Sequence, residues 1–149
     1  MVALLDLNVL IALAWPNHVH HEPALAWFRR HQGAGWATCP ATEAGFVRVS
    51  SNRQVMPAAR TPAEAIQLLR RIRALPGHEF WADDISLATS EWVDPLRLIG
   101  HRQVSDAHLL ALALKNGGRL ATLDRGIRQL VPPGYSPQEV VALLVEAGG

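Results

Sequence analysis

A chain of 149 residues, 49% hydrophobic and 18% charged, is long enough to close one hydrophobic core and too apolar to be disordered. Its 14 basic and 13 acidic residues nearly cancel, which excludes a global pull toward nucleic acid or a membrane surface and leaves only a local site for a polyanion. All but one of the basic residues are arginine, whose planar fork suits phosphate.

The opening, MVALLDLNVLIALAW, carries Ala12, Leu13 and Ala14 in the manner of a leader cleavage site, yet no Lys or Arg precedes the apolar run and Asp6 and Asn8 interrupt it. It reads as folded structure. Val2 to Leu5 is expected to be a buried strand ending at Asp6, and Val9 to Ala14 the body of a following helix. No stretch approaches the roughly 20 apolar residues of a membrane span, so no membrane is expected.

His20 to His31 carries Ala24, Leu25, Trp27 and Phe28 at helical spacing, with Arg29 and Arg30 where cations suit a helix end. Trp36 to Cys39 reads as a second strand stopped by Pro40, followed by a helix with Glu43, Phe46, Val47 and Ser50. Cys39, the single cysteine, excludes an internal disulfide and reads as a small core residue in a cytoplasmic protein.

Thr61, Pro62 and Glu64 form a capping box with proline at the first helical position, opening a helix to about Leu75. Its stripe of Ala65, Leu68, Leu69, Ile72 and Leu75 should face the core, leaving Arg70, Arg71 and Arg73 toward solvent. Phe80 to Ala82 is expected to be a third strand, and Ser90 to Val93 a short helix before Pro95. Ser105 reads as the N-cap of a helix carrying Leu109, Leu110, Leu112 and Ala113, stopped by Gly117 and Gly118. Arg119 to Leu123 reads as a strand ending at Asp124. At the C-terminus Ser136, Pro137 and Glu139 imitate a capping box, while Val140 to Val145 reads as a terminal strand, the preferred assignment. The alternation predicts one domain over 1–149, an α/β sandwich with a largely parallel sheet.

In such a sheet, ligands bind outside the carboxyl ends of the strands. Asp6 and Asp124 end strands there, and Glu43 and Asp106 lie in the first turns of helices leaving that edge. Asp106 precedes Leu109, Leu110 and Ala113 by three, four and seven positions, which puts it on the buried face of its helix. Asp or Glu near a helix N-terminus is also favourable through the dipole alone, and Asp before Arg125 and Gly126 is ordinary turn chemistry. Asp6 is different, because a carboxylate in an apolar strand costs several kcal/mol if buried without a partner.

Converging carboxylates repel one another unless a hard cation such as Mg²⁺ or Mn²⁺, which prefers oxygen ligands, neutralises them. One or two such ions would activate a water and orient a phosphodiester. Asn8, Ser105 and Thr122 lie near the same rim and are candidates to hydrogen-bond the acids. His18, His20 and His21 cluster without a cysteine or a second spaced pair, and read as surface residues rather than zinc ligands. The five tryptophans are scattered, which favours packing over base stacking.

The segments LLDLNVLIAL with Asp6, PATEAGFVRV with Glu43, GHRQVSDAHLLALA with Asp106 and GGRLATLDRGI with Asp124, in this order and spacing, resemble the PIN-domain ribonucleases, specifically the VapC-like toxins of bacterial toxin-antitoxin modules. The resemblance spans nearly the whole chain. It implies a three-layer α/β/α sandwich, Mg²⁺ or Mn²⁺ at the four acids with Asp124 the most variable in role, and endonucleolytic RNA cleavage leaving a 5′-phosphate and a 3′-hydroxyl. It also implies a homodimer and inhibition by a cognate antitoxin. Arg102 and Arg125, close in sequence to Asp106 and Asp124, are candidates for phosphate contacts.

Two other readings stand beside it. One is a haloacid-dehalogenase-like phosphatase with Asp6 as nucleophile, although that family expects an Asp where this chain has Asn8. The other is a non-catalytic RNA-binding scaffold that keeps the fold.

Overall fold

In the computed structural model, which describes residues 1–145, five short strands form one sheet: β1 (Ala3–Leu5), β2 (Trp36–Thr38), β3 (His78–Phe80), β4 (Arg119–Thr122) and β5 (Val141–Leu143). All neighbours are parallel and the order is β3-β2-β1-β4-β5. The helices are α1 (Leu7–Ala14), α2 (His21–His31), α3 (Pro40–Ser50), α4 (Pro62–Arg73), α5 (Val104–Lys115) and α6 (Pro137–Val140). Among the described residues no helix is long and apolar enough to cross a membrane.

Alternation along the strands separates two cores, since successive side chains point to opposite faces. Ala3, Leu5, Trp36 and Ala121 pack with Val9 and Leu10 of α1, Trp27 and Phe28 of α2, Phe46 of α3 and Leu69 of α4. Leu4, Ala37 and Leu120 face the other way, against Leu109, Leu110, Leu112 and Ala113 of α5. The result is the expected three-layer α/β/α sandwich. Strand residues buried on both faces explain why the strands read as apolar runs without alternation. Trp15, Trp27, Trp36 and Trp81 are buried and Trp92 packs against the core, as the packing reading expected. Cys39 is buried at the N-cap of α3, where its N–H donates to Thr42 Oγ1 at 3.1 Å.

Local rules set the helix starts that were legible in sequence. Thr61 accepts from Glu64 N at 3.2 Å and Glu64 reaches back to Thr61 N at 3.1 Å, completing the capping box of α4. That helix ends at Arg73, two residues before the expected limit, and Leu75 lies exposed beyond it.

Several boundaries differ from expectation for identifiable reasons. The third strand is His78–Phe80 rather than Phe80–Ala82, because its register is fixed by pairing Trp36 with His78 and Thr38 with Phe80. Ser90 to Val93 form no helix; the one helical piece there is a 3-10 turn at Pro95–Arg97, begun by Asp94 accepting from Leu96 N. Ser105 is not an N-cap, since a 3-10 turn at His101–Gln103 runs directly into α5 at Val104. At the C-terminus both readings occur in succession, α6 and then β5, so the strand starts at Val141.

The order β3-β2-β1-β4-β5 means that the chain leaves β1 to one side and later returns to build the other. The carboxyl ends of β1 and β4 therefore flank a topological switch point, where a crevice opens. Gly118 sets the approach of these two strands. A Cβ at that position would lie 2.4 Å from the Val2 carbonyl oxygen and 2.9 Å from the Trp81 ring. Because the first obstacle is backbone, Gly118→Ala should destabilise the fold by about 2 kcal/mol, read as a lowered urea midpoint. A midpoint equal to that of the parent would show that the strands give way easily.

Candidate active site

Asp6 follows β1 and caps α1. Its Oδ1 accepts from Leu7 N at 2.7 Å, and its Oδ2 accepts from the Thr122 hydroxyl at 2.7 Å. With only 6% of its surface exposed, burial pushes its carboxyl above the ordinary carboxylate range; these two hydrogen bonds oppose the shift and the Asp124 charge adds to it. Thr122, fully buried at the end of β4, also accepts from Asp124 N at 3.0 Å and from Asn8 Nδ2 at 3.4 Å. One hydroxyl thus ties the ends of the two central strands together. Asn8 completes the link by accepting from Leu123 N at 3.3 Å. Thr122 thus bonds Asp6 as the sequence suggested, whereas Asn8 bonds the Thr122 hydroxyl and the Leu123 backbone instead of an acid, and Ser105 lines the cavity beside Asp106.

Asp106 approaches from the opposite layer, in the first turn of α5. Desolvation, and then the charges of Asp6 and Asp124, raise its carboxyl from 3.8 to about 6. That mutual effect places the three aspartates within one electrostatic neighbourhood, although they arrive from residues 6, 106 and 124. Asp124 is exposed and also caps the 3-10 turn Arg125–Leu130 by accepting from Gly126 N at 2.9 Å. Its turn chemistry and its proximity to the other acids coexist.

Glu43 is held by two side chains. It sits in the first turn of α3, where its Oε2 accepts from the Thr38 hydroxyl at 2.6 Å and its Oε1 lies 3.5 Å from Arg73 Nη1. His78 Nε2 lies 2.7 Å from the same Thr38 oxygen. The hydroxyl proton is committed to Glu43, so the ring nitrogen is the donor in that pair. Asp6 and Asp106 line one cavity with the Asp124 charge nearby, while the Glu43 carboxylate contacts Thr38 and Arg73. Arg73 lies exposed, as expected, and its guanidinium reaches Glu43 from α4.

A cavity of about 670 Å³ opens at the acids, lined by Asp6, Asp106 and Ser105, by Thr42, Gly45 and Arg48 of α3, and by Leu87, Val104 and His108 among others. His108 Nε2 donates to Asp83 Oδ1, fixing the ring on the rim. Arg48 and His108 were not singled out from the sequence. The usable signal for Arg48 was its place on the same helical face as Thr42 and Gly45, at three-residue steps. Arg102 is exposed on the turn before α5 and is not among the residues lining the cavity, whereas Arg125 directly follows Asp124. A second cavity, of about 520 Å³ between Trp15 and α4, contains none of the three aspartates.

The donor set fits a hard divalent cation: the partly desolvated carboxylates of Asp6 and Asp106, with the exposed Asp124 charge close enough to disfavour ionisation of both. Among the described residues no three of these side chains close into a ligand cage. Such spacing agrees with an ion that keeps several waters and takes only one or two carboxylates directly. The histidines His18, His20 and His21 form no metal cluster among the described residues. His21 Nδ1 bonds the Ala12 carbonyl and His18 Nδ1 accepts from His20 N.

A sequence model of the PIN domain family matches residues 3–131. The chain belongs to the PIN domain family. It is 52% identical over 134 residues to Ribonuclease VapC39 of Mycobacterium tuberculosis (strain CDC 1551 / Oshkosh), covering 90% of this chain and 96% of that relative. Ribonuclease VapC38 of M. tuberculosis (strain ATCC 25618 / H37Rv) is 49% identical over 144 residues, with 96% and 100% covered. Ribonuclease VapC44 of M. tuberculosis (strain CDC 1551 / Oshkosh) is 43% identical over 143 residues, with the same shares.

The raised Asp106 carboxyl makes stability depend on pH. Its folded value of about 6 lies above 3.8, so the folded state binds the proton more tightly. Its contribution is then fully present below about pH 4 and is lost as pH rises through about 6. In EDTA, Asp106→Asn should match the parent near pH 4 and exceed it at pH 7.5 by on the order of 1 kcal/mol, after allowance for solvent screening. Urea midpoints at the two pH values check this. A residue that serves only the helix dipole predicts the reverse sign, a loss of about 0.3 to 1 kcal/mol at neutral pH.

Proposed function

We propose that this chain is a divalent-metal-dependent endoribonuclease acting as the toxin of a toxin-antitoxin module, with Asp6, Asp106 and Asp124 as its metal-holding acids. The observation that supports the site is that Asp6 and Asp106 open onto one cavity at the β1/β4 switch point, with the Asp124 charge acting on both. Relatives named as ribonucleases over nearly the full chain support the activity.

Mg²⁺ or Mn²⁺, as one or two ions, would supply Lewis-acid stabilisation of the phosphodiester and a water nucleophile at neutral pH. The protein's part is positional. Thr122 and Leu7 N occupy one lone-pair direction on each Asp6 oxygen and hold the carboxylate at a fixed angle to the crevice. Asn8 braces the β4 end through Leu123 N and Thr122, a structural occupation that leaves no second nucleophile-assisting acid of the phosphatase kind beside Asp6. Asp106, whose carboxyl is raised to about 6, would hold the cation in its ionised form, so cation affinity would fall as pH drops below about 6. Asp124 adds charge from the exposed side. Glu43 is assigned to bracing α3 against Arg73 and Thr38. Arg125 and Arg102 are proposed phosphate contacts at the rim.

The biological unit is proposed to be a homodimer, held inactive by a cognate antitoxin that places a basic side chain among the aspartates in competition with the cation. The RNA phosphodiester is hydrolysed to a 5′-phosphate and a 3′-hydroxyl.

Asp6→Asn keeps the size of the side chain and removes its charge. In Mg²⁺ or Mn²⁺ it should lower RNA cleavage by at least about 100-fold while the circular dichroism spectrum stays that of the parent. EDTA should abolish parental cleavage. A folded Asp6→Asn protein cleaving at the parental rate would place the active site elsewhere.

A further inference from the structure

The cavity holding Asp6 and Asp106 has one cationic side chain in its α3 wall, Arg48. Arg60, Arg73 and Arg97 pair with Glu64, Glu43 and Asp94. Arg48 is exposed and, among the described residues, makes no such pair, even though Asp6 and Asp106 line the same cavity. It stands two three-residue steps beyond Thr42 on α3, about 9 Å along the helix axis. Between them Gly45 presents no side chain, and a Cβ there would press on the Leu7 Cδ2 methyl at 2.9 Å. Across the cavity Leu87 and Val104 present partly exposed apolar surface.

A groove with acids at one end, an unpaired guanidinium further along and an apolar opposite wall suits a single nucleic-acid strand. Its scissile phosphate would lie at the acids, a flanking phosphate at the guanidinium, and a base or ribose against the apolar wall. A guanidinium in the last turn of α3 also suits the helix dipole, which explains its tolerance there but not its position over the cavity. We propose that Arg48 is a substrate-positioning residue that binds a backbone phosphate flanking the scissile one. This rests on the ribonuclease reading of the same site.

The test uses the full chain in Mg²⁺ with a single-stranded RNA that the parent cleaves. Arg48→Ala should raise KM about tenfold with kcat within about twofold, because a contact made equally in the ground and transition states affects binding alone. The slope of log KM against log salt should fall by about 0.7, the increment for one phosphate contact on a single strand. Arg48→Lys should keep the parental salt slope with a smaller rise in KM. Arg29→Ala, on the outer face of α2, removes the same charge away from the cavity and should leave both quantities unchanged. A cleaving parent with Arg48→Ala at parental KM and slope overturns this assignment alone, as does an equal effect of Arg29→Ala. A parent that cleaves no RNA in Mg²⁺ or Mn²⁺ overturns the ribonuclease reading and this assignment with it.

Discussion

A buried carboxylate at the end of the central strand governs the rest of this structure. Asp6 is 6% exposed, and two hydrogen bonds, from Thr122 and from Leu7 N, offset part of the cost of burying its charge. Neither donor carries a formal charge, and the Asp124 charge adds to the cost. A cation held there, as proposed, would offset the remainder, so that stability without metal would be exchanged for affinity toward it, the kind of local strain that concentrates at functional sites.

The sandwich supplies that crevice from its connectivity. Because β2 and β3 lie to one side of β1, and β4 and β5 to the other, the loops after β1 and β4 part above the sheet and leave room between them. Helix α5 closes the crevice from the layer opposite α1 to α4, which is how Asp106 reaches carboxylates separated from it by a hundred residues or by eighteen in sequence. Thr122 then does for the two strand ends what a disulfide would do elsewhere, with a single hydroxyl bonded to Asp6 and accepting from Asp124 N.

What could be read from the sequence followed from how local its cause was. The α4 capping box, the apolar strands and the helical stripe of α5 each depend on neighbours within a turn or a strand, and all are present. Asp6 was legible because an acid in an apolar strand is costly whatever surrounds it. The position of β3 depends on pairing with β2, forty residues away, and the 3-10 turn before α5 has no strong local signature. Glu43 shows the same limit at the site. Sequence places it in the first turn of α3, but which way its side chain turns is decided by Arg73 and Thr38. Arg48 shares a helical face with Thr42 and Gly45, but that the surface beside this face is a cavity depends on Leu87 and Val104, far away in sequence.

The metal site proposed for this chain consists of Asp6, Asp106 and Asp124, with Glu43 in a bracing role. Titration of Mn²⁺ followed by electron paramagnetic resonance, which separates free from bound ion, tests it without reference to RNA. The account predicts one or two bound ions per chain, affinity weakened by about tenfold or more in Asp6→Asn and in Asp106→Asn, and parental affinity in Glu43→Gln. Parental binding by both aspartate variants, or loss of binding in Glu43→Gln alone, would contradict it.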